Sequence, residues 1–194
     1  METMKARNAR MRPMTSLQKE LIFGSLLGDG YLARTTNGYA FRVNHSISQK
    51  EYVDWKYAHL ESLTNSQPRV YRRSYYFRTV PHPAMTDLRK MFYDGSKKRL
   101  PYETDAWITP FAFAIWLMDD GARDKNQLRL NTQSFSLKEN EKLIRILEAK
   151  LGITATINRD KDRHRLRVCA TSMPRVRQLV APFIIPSMQY KLSL

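Results

Sequence analysis

The sequence predicts an α+β fold built twice over. Two halves related by a pseudo-twofold axis each read helix, two strands, helix, two strands, helix (αββαββα), and each carries its own antiparallel sheet. Three observations support this. Two apolar segments, residues 16–30 and 113–121, each close on an aspartate followed by a glycine. Those aspartates, Asp29 and Asp120, stand 91 residues apart. The stretch behind each segment also repeats: an alternating strand whose Asn44 and Asn131 are 87 apart, then a Ser-x-x-Glu helix start 88 apart.

In chain order, "SLQKELIFGSLLGDG" (residues 16–30) is a helix apolar through its centre and ended by Gly28-Asp29-Gly30. "YAFRVNHSIS" (39–48) alternates apolar and polar residues, the mark of a half-buried strand. It runs into Ser48-Gln49-Lys50-Glu51, read as a capping box in which Ser and Glu satisfy free backbone N–H groups. The helix behind it aligns Val53, Tyr57, Leu60 and Leu63. "RVYRRSYYFRTV" gives two further strand-like runs, and a closing helix lies near residues 85–93. The second half repeats the plan with "FAIWLMDDG" (113–121), the strand "QLRLNTQSFS" (127–136) and a second box at Ser136 and Glu139. Its next helix carries the clearest stripe in the chain, Leu143, Ile146, Leu147 and Leu151, and stops at Gly152. "TATINRDKDRHRLRVCA" turns at residues 160–162 before a closing helix near 173–184. Residues 1–15 form a basic arm, 16–105 the first half and 106–194 the second. A half of that size alone has a thin core, so the two are expected to share one, as the halves of a homodimer do.

Composition narrows the function. With 42% apolar residues, the chain of 194 residues can bury a core. Its 33 Lys+Arg against 18 Asp+Glu leave a net charge of +15, which points to a polyanion, with nucleic acid the first choice. An anionic membrane surface is the weaker reading, because no apolar run approaches the ~18 residues that span a bilayer. The single Cys169 excludes an internal disulfide and fits a reducing compartment. His45, His59, His82 and His164 lack ligand spacing, which argues against zinc. The N-terminus has no apolar secretory segment. It reads as a disordered basic tail, with an organellar targeting arm as the other choice, so an organelle and a prokaryotic cytoplasm both stay open.

The two acids of Asp119-Asp120-Gly121 oppose their own electrostatics, since negative charge at a helix C-terminus costs roughly 0.3–1 kcal/mol. One such Asp-Gly ending is more often a solvated cap than a site. Two at matched places in a repeated pattern are a stronger signal, and here the chain resembles the LAGLIDADG homing endonucleases. Ile22-Phe-Gly-Ser-Leu-Leu-Gly-Asp-Gly30 fits the nine-position motif with the acid eighth, and Phe113-Ala-Ile-Trp-Leu-Met-Asp-Asp-Gly121 resembles the second motif of the two-motif, single-chain members. "LNTQSFS" (130–136) and "IPSMQYKL" (185–192) are similar as well. The resemblance implies a saddle-shaped DNA-binding surface, a monomer, Mg²⁺, and cleavage of a long, weakly symmetric double-stranded site across the minor groove.

The motif's letters have physical reasons. Gly24, Ser25 and Gly28 let two helices approach closely at the pseudo-dyad. Asp29 and Asp120 then converge, and a hard divalent cation relieves their repulsion. Gly28 and Asp119 offer helix-terminal carbonyls as further metal ligands, as the resemblance also implies. The second helix departs from the pattern: Ile115 and Asp119 stand at positions where small residues are expected, while Ala112 and Ala114 offer a rotated seam.

Lys98 and Lys191 lie 69 and 71 residues after their aspartates. That repeated offset, with the resemblance, makes both candidate catalytic lysines that stabilise charge on the scissile phosphate. Lys97 remains the alternative to Lys98. Gln133, with Ser46 as its counterpart in the first half, is a second-tier catalytic candidate that would hold water. Strand alternation puts Arg163, Arg165 and Arg167 on one face, Arg42 and Asn44 on another, and Arg129, Asn131 and Gln133 on a third. Arg, Asn and Gln are the side chains that read guanine and adenine edges in the major groove. Arg34, Arg72, Arg73, Arg78, Arg123 and Asn158 complete the DNA-binding candidates. Two alternatives to the endonuclease are an RNA-binding maturase partnered with its own intron RNA, and a catalytically silent DNA-binding regulator.

Overall fold

The computed structural model describes residues 3–192. The first half runs α1 (Met4–Met11), α2 (Ser16–Leu27), β1 (Tyr31–Thr35), β2 (Gly38–Ser46), α3 (Lys50–Leu60), β3 (Arg69–Tyr71), β4 (Ser74–Arg78) and α4 (Pro83–Phe92). A small hairpin, β5 (Tyr93–Asp94) with β6 (Lys97–Lys98), and the short α5 (Thr104–Trp107) lead onward. The second half runs α6 (Pro110–Asp120), β7 (Gly121–Asp124), β8 (Gln127–Leu130), α7 (Leu137–Leu151), β9 (Ala155–Asp160), β10 (Arg163–Val168) and α8 (Met173–Val180). The two four-stranded sheets share one topology, β1-β2-β4-β3 and β7-β8-β10-β9, antiparallel throughout. The repeat expected from the sequence is therefore present in both halves.

Helix ends obey local chemistry. A capping box of Thr15 and Gln18 opens α2, and the Gln18 amide also donates to His59 O and Ser62 Oγ, tying α2 to the end of α3. Ser136 and Glu139 form the expected box at α7, and Gly152 ends that helix in the left-handed region at φ 66°. Two expectations fail. The Ser48–Glu51 box is absent: Ser46 accepts from Ser48 N to start a 3₁₀ turn, which feeds α3 without a side-chain cap. And the N-terminal arm is not a disordered tail over residues 4–11, because Thr3 caps a helix there whose Ala6 and Ala9 bury against Val80.

Helices α2 and α6 lie side by side at the centre, apolar on almost every side. Leu21, Ile22, Phe23, Leu26 and the whole run Phe113 to Met118 have no solvent exposure, as befits helices inside a core. The close approach depends on Gly24, where an added methyl would sit 2.3 Å from the Ala112 carbonyl oxygen. Ala112 is thus part of the rotated seam. One continuous hydrophobic core spans both halves, with the sheets flanking it. Among the described residues no helix is long and apolar enough to cross a membrane.

Candidate metal centre and nucleic-acid interface

The paired helix ends build the centre. Helix α2 is closed at Gly28, whose N–H and that of Gly30 both donate to Ser25 O, and this turn presents Asp29 to solvent. Asp120 is the last residue of α6 and is half-buried. The Asp29 carboxyl comes close enough to Asp120 to act on its titration. Burial first, then the charges of Asp29 and Asp119, push the Asp120 carboxyl up to about 8, while Lys98 pulls it back. Two convergent carboxyls, one resisting ionisation, form a donor set whose repulsion a hard cation would relieve.

Of the two candidate lysines, one points at the end of α2. In the small hairpin Tyr93 pairs with Lys98 and Asp94 with Lys97, so the two lysines point to opposite sides. Lys98 turns inward and donates to Gly28 O at 2.8 Å and Gly30 O at 3.3 Å, while Lys97 is exposed. Burial lowers the Lys98 pKa, with Asp120, Asp119 and Asp29 opposing. In the second half Lys191 donates to Asp119 O at 3.2 Å. The two carbonyls expected as metal ligands thus each face a lysine, in matched fashion across the pseudo-dyad. The Gln133 amide donates to Asp160 Oδ2 at 2.9 Å, and Ser46 serves as the 3₁₀ cap.

The Asp119 side chain, the oddity of the second motif, turns the other way into a buried polar cluster. Lys56 of α3 donates to both its oxygens, at 2.6 and 2.9 Å, and to Ser25 Oγ at 2.9 Å. Tyr52 OH donates to Asp119 Oδ1 at 2.8 Å, and His45 Nε2 lies 3.6 Å from that oxygen. Burial lowers the Lys56 and His45 pKa values and raises that of Tyr52 well above its ordinary value. The cluster ties one helix of the first half to both motif helices. Its sequence signal was available: Lys56 occupies a stripe position between Val53 and Leu60, where a lysine must either snorkel or find an acid.

Register sorts the basic residues by face. In the second sheet Arg163 pairs with Asp160, Arg165 with Asn158, and Arg167 with Thr156 and Arg129, all on the face opposite buried Leu128, Leu130, Leu166 and Val168. In the first sheet Arg42 pairs with Arg78 and Tyr31, and Asn44 with Tyr76. Arg72 and Arg73 form the β3–β4 turn, with Arg72 at φ 55°. Asn131 is exposed just past β8, its N–H donating to Asp120 O. Arg34 and Arg123 are exposed, but their rungs pair them with Tyr39 and Leu128, on the opposite side of each sheet from Arg42 and Arg129. Nε of Arg42, Arg129 and Arg165 is buried without a hydrogen bond, that of Arg129 lying 3.7 Å from Asp124 Oδ2.

A sequence profile of the LAGLIDADG DNA endonuclease family matches residues 19–176. The chain belongs to that family. It is similar to the cytochrome b mRNA maturase bI2 of Debaryomyces hansenii, 28% identical over 199 residues, or 94% of this chain and 76% of the relative. The DNA endonuclease I-ChuI of Chlamydomonas applanata is 28% identical over 209 residues, covering 93% of this chain and 96% of the relative. The chain spans only 51% of the Saccharomyces cerevisiae maturase bI2, which it matches at 29% identity. Among solved structures, the homing endonuclease I-WcaI bound to its DNA recognition sequence superposes with a TM-score of 0.89 at 25% identity, covering 96% of this chain and 90% of that one. The two-motif, single-chain architecture agrees with this family assignment.

Proposed function

We propose that this LAGLIDADG protein is a Mg²⁺-dependent endonuclease, acting as a monomer, that cuts both strands of double-stranded DNA at one long asymmetric site. The observation that carries the reading is the Asp29–Asp120 pair at the helix seam, with Asp120 held protonated to about pH 8 by burial and its acidic neighbours. Such a pair costs stability unless a cation takes the place of the proton. The donor set fits a hard divalent ion: two carboxylates and the carbonyl oxygens of Gly28 and Asp119. Among the described residues no three acid, His or Cys side chains converge, because Asp119 is committed to Lys56, so phosphate and water would complete the shell. Bound there, the metal would supply charge neutralisation and an acidified water.

The chain's own residues do the rest. Asp29 and Asp120 orient the centre from opposite halves, one toward each strand. Lys98 and Lys191 are cations poised on the two carbonyls, placed to stabilise negative charge on the phosphates. The arginine-bearing sheet faces contact the grooves on either side of the cut.

Selection of cleaved duplexes from a randomised library, with and without Mg²⁺, tests this. Recovery of one long site cut only with metal is expected. Asp29→Asn or Asp120→Asn should reduce cleavage to background while DNA affinity stays within about threefold; full cleavage by either variant overturns the assignment. A second reading, intron-RNA binding in splicing, is favoured by the likeness to maturase bI2, and it predicts tight binding of a structured intron that survives both substitutions.

A further inference from the structure

Acids are out of place on a surface that must meet phosphates, yet the second sheet carries two on its exposed face. Asp124 and Asp160 are the only acids in its four strands, and both lie among the arginines. Asp124 Oδ2 is 3.4 Å from Arg167 Nη2 and 3.7 Å from Arg129 Nε. Asp160 Oδ2 is 3.4 Å from Arg165 Nη1 and accepts from Gln133 Nε2 at 2.9 Å. The first sheet has no acid in any strand. There Arg42 lies over the Tyr76 ring at 4.8 Å, and Arg69 over the same ring at 5.2 Å.

We propose that Asp124 and Asp160 are positioning residues for sequence readout: each holds its arginines so that the free edge of the guanidinium meets a guanine, and each penalises indiscriminate phosphate contact. The physics is a competition. An arginine free in solvent meets the nearest phosphate, which adds affinity without sequence information. An arginine fixed on one edge by a carboxylate keeps its other edge for the O6/N7 pair of guanine, in bidentate geometry. A phosphate approaching the same spot is repelled by the acid. The tyrosine rings of the first sheet orient Arg42 without that repulsion. The half of the target under the second sheet should therefore be specified more strictly, with G·C pairs at the arginine positions, than the half under the first.

This inference rests on the sheets binding duplex DNA, and one set of titrations separates the two claims. Wild type, Asp124→Asn and Asp160→Asn are titrated against the selected site and an unrelated duplex across a salt series. The substitutions are isosteric, and retained melting temperature checks the fold. Tighter binding of the unrelated duplex, with a salt slope steeper by about one and a target preference reduced roughly tenfold, supports the proposal. Equal weakening on both duplexes, or an unchanged preference, overturns it. So does a loss confined to a single C·G position, which would make the acid itself the reader of cytosine N4. Wild type that binds neither duplex removes the DNA-binding reading itself.

Discussion

Helices α2 and α6 end alike but are built differently. Helix α2 reaches the seam with Gly24, Ser25 and Gly28, whereas α6 brings Ala112, Ile115 and Asp119 to the same contacts. Where the first helix is small, the second is bulky and charged. The charge is offset from outside, by Lys56 of the first half. The second half has no counterpart: 88 residues after Tyr52 stands Asn140, which closes on Thr132, Phe135 and Ser136 of its own half, and 88 after Lys56 stands Ile144. The pseudo-twofold relation therefore holds for the paired aspartates and the lysine-faced carbonyls of Gly28 and Asp119 and fails one layer beneath them. Symmetry is kept where two equivalent strands must be met, and abandoned where only packing is at stake.

The largest test of that asymmetry is Lys56→Met. It leaves Asp119 buried without its cation and should cost about 3–5 kcal/mol, read as a drop in the denaturant midpoint. The double variant Lys56→Met/Asp119→Ala should recover most of it. Equal losses in the single and double variants would show that the pair contributes nothing specific.

The centre above that pair gives the second test. The Asp120 pKa is raised from 3.8 to about 8, so the folded protein holds a proton that the unfolded chain releases above pH ~4. Without divalent metal, stability should thus be highest below about pH 4 as far as this group is concerned, and fall by several kcal/mol as pH rises to 8. Melting curves of the metal-free protein at pH 5.5 and 8.5 measure this. Asp120→Asn should flatten the dependence, and Mg²⁺ should raise the melting temperature more at pH 8.5 than at 5.5.

The smallest effect compares the two predicted capping boxes. Ser136→Ala should cost about 1 kcal/mol, the loss of a true N-cap, and Ser48→Ala close to nothing. Equal costs would contradict the 3₁₀ start of α3.

Much of this molecule is legible in its amino-acid order. Asp29, Asp120, Lys98 and Lys191 were findable because duplication printed them twice at near-equal spacing, and a two-residue period placed Arg163, Arg165 and Arg167 on one face. The features that escaped depend on through-space partners or on register. The Lys56–Asp119 pair joins residues 63 apart: the stripe marks Lys56 as a lysine in need of an acid, but nothing local names Asp119 as that acid. Arg34 and Arg123 sit on short strands whose facing is set by hairpin pairing to Tyr39 and Leu128. The choice of Lys98 over Lys97 waited on a two-rung hairpin. Helix α1 needed Val80, 71 residues after Ala9, to give its alanines something to cover.

The lysine beneath the seam also bears on how the halves can be exchanged. A protein assembled from two copies of the first half would set two buried ammonium groups against a seam with no acid to receive them. Two copies of the second would bury two Asp119 carboxylates with no base. Chimeras that recombine halves between relatives should therefore inherit residues 56 and 119 together, as lock and key, whichever DNA sequence each half is chosen to read.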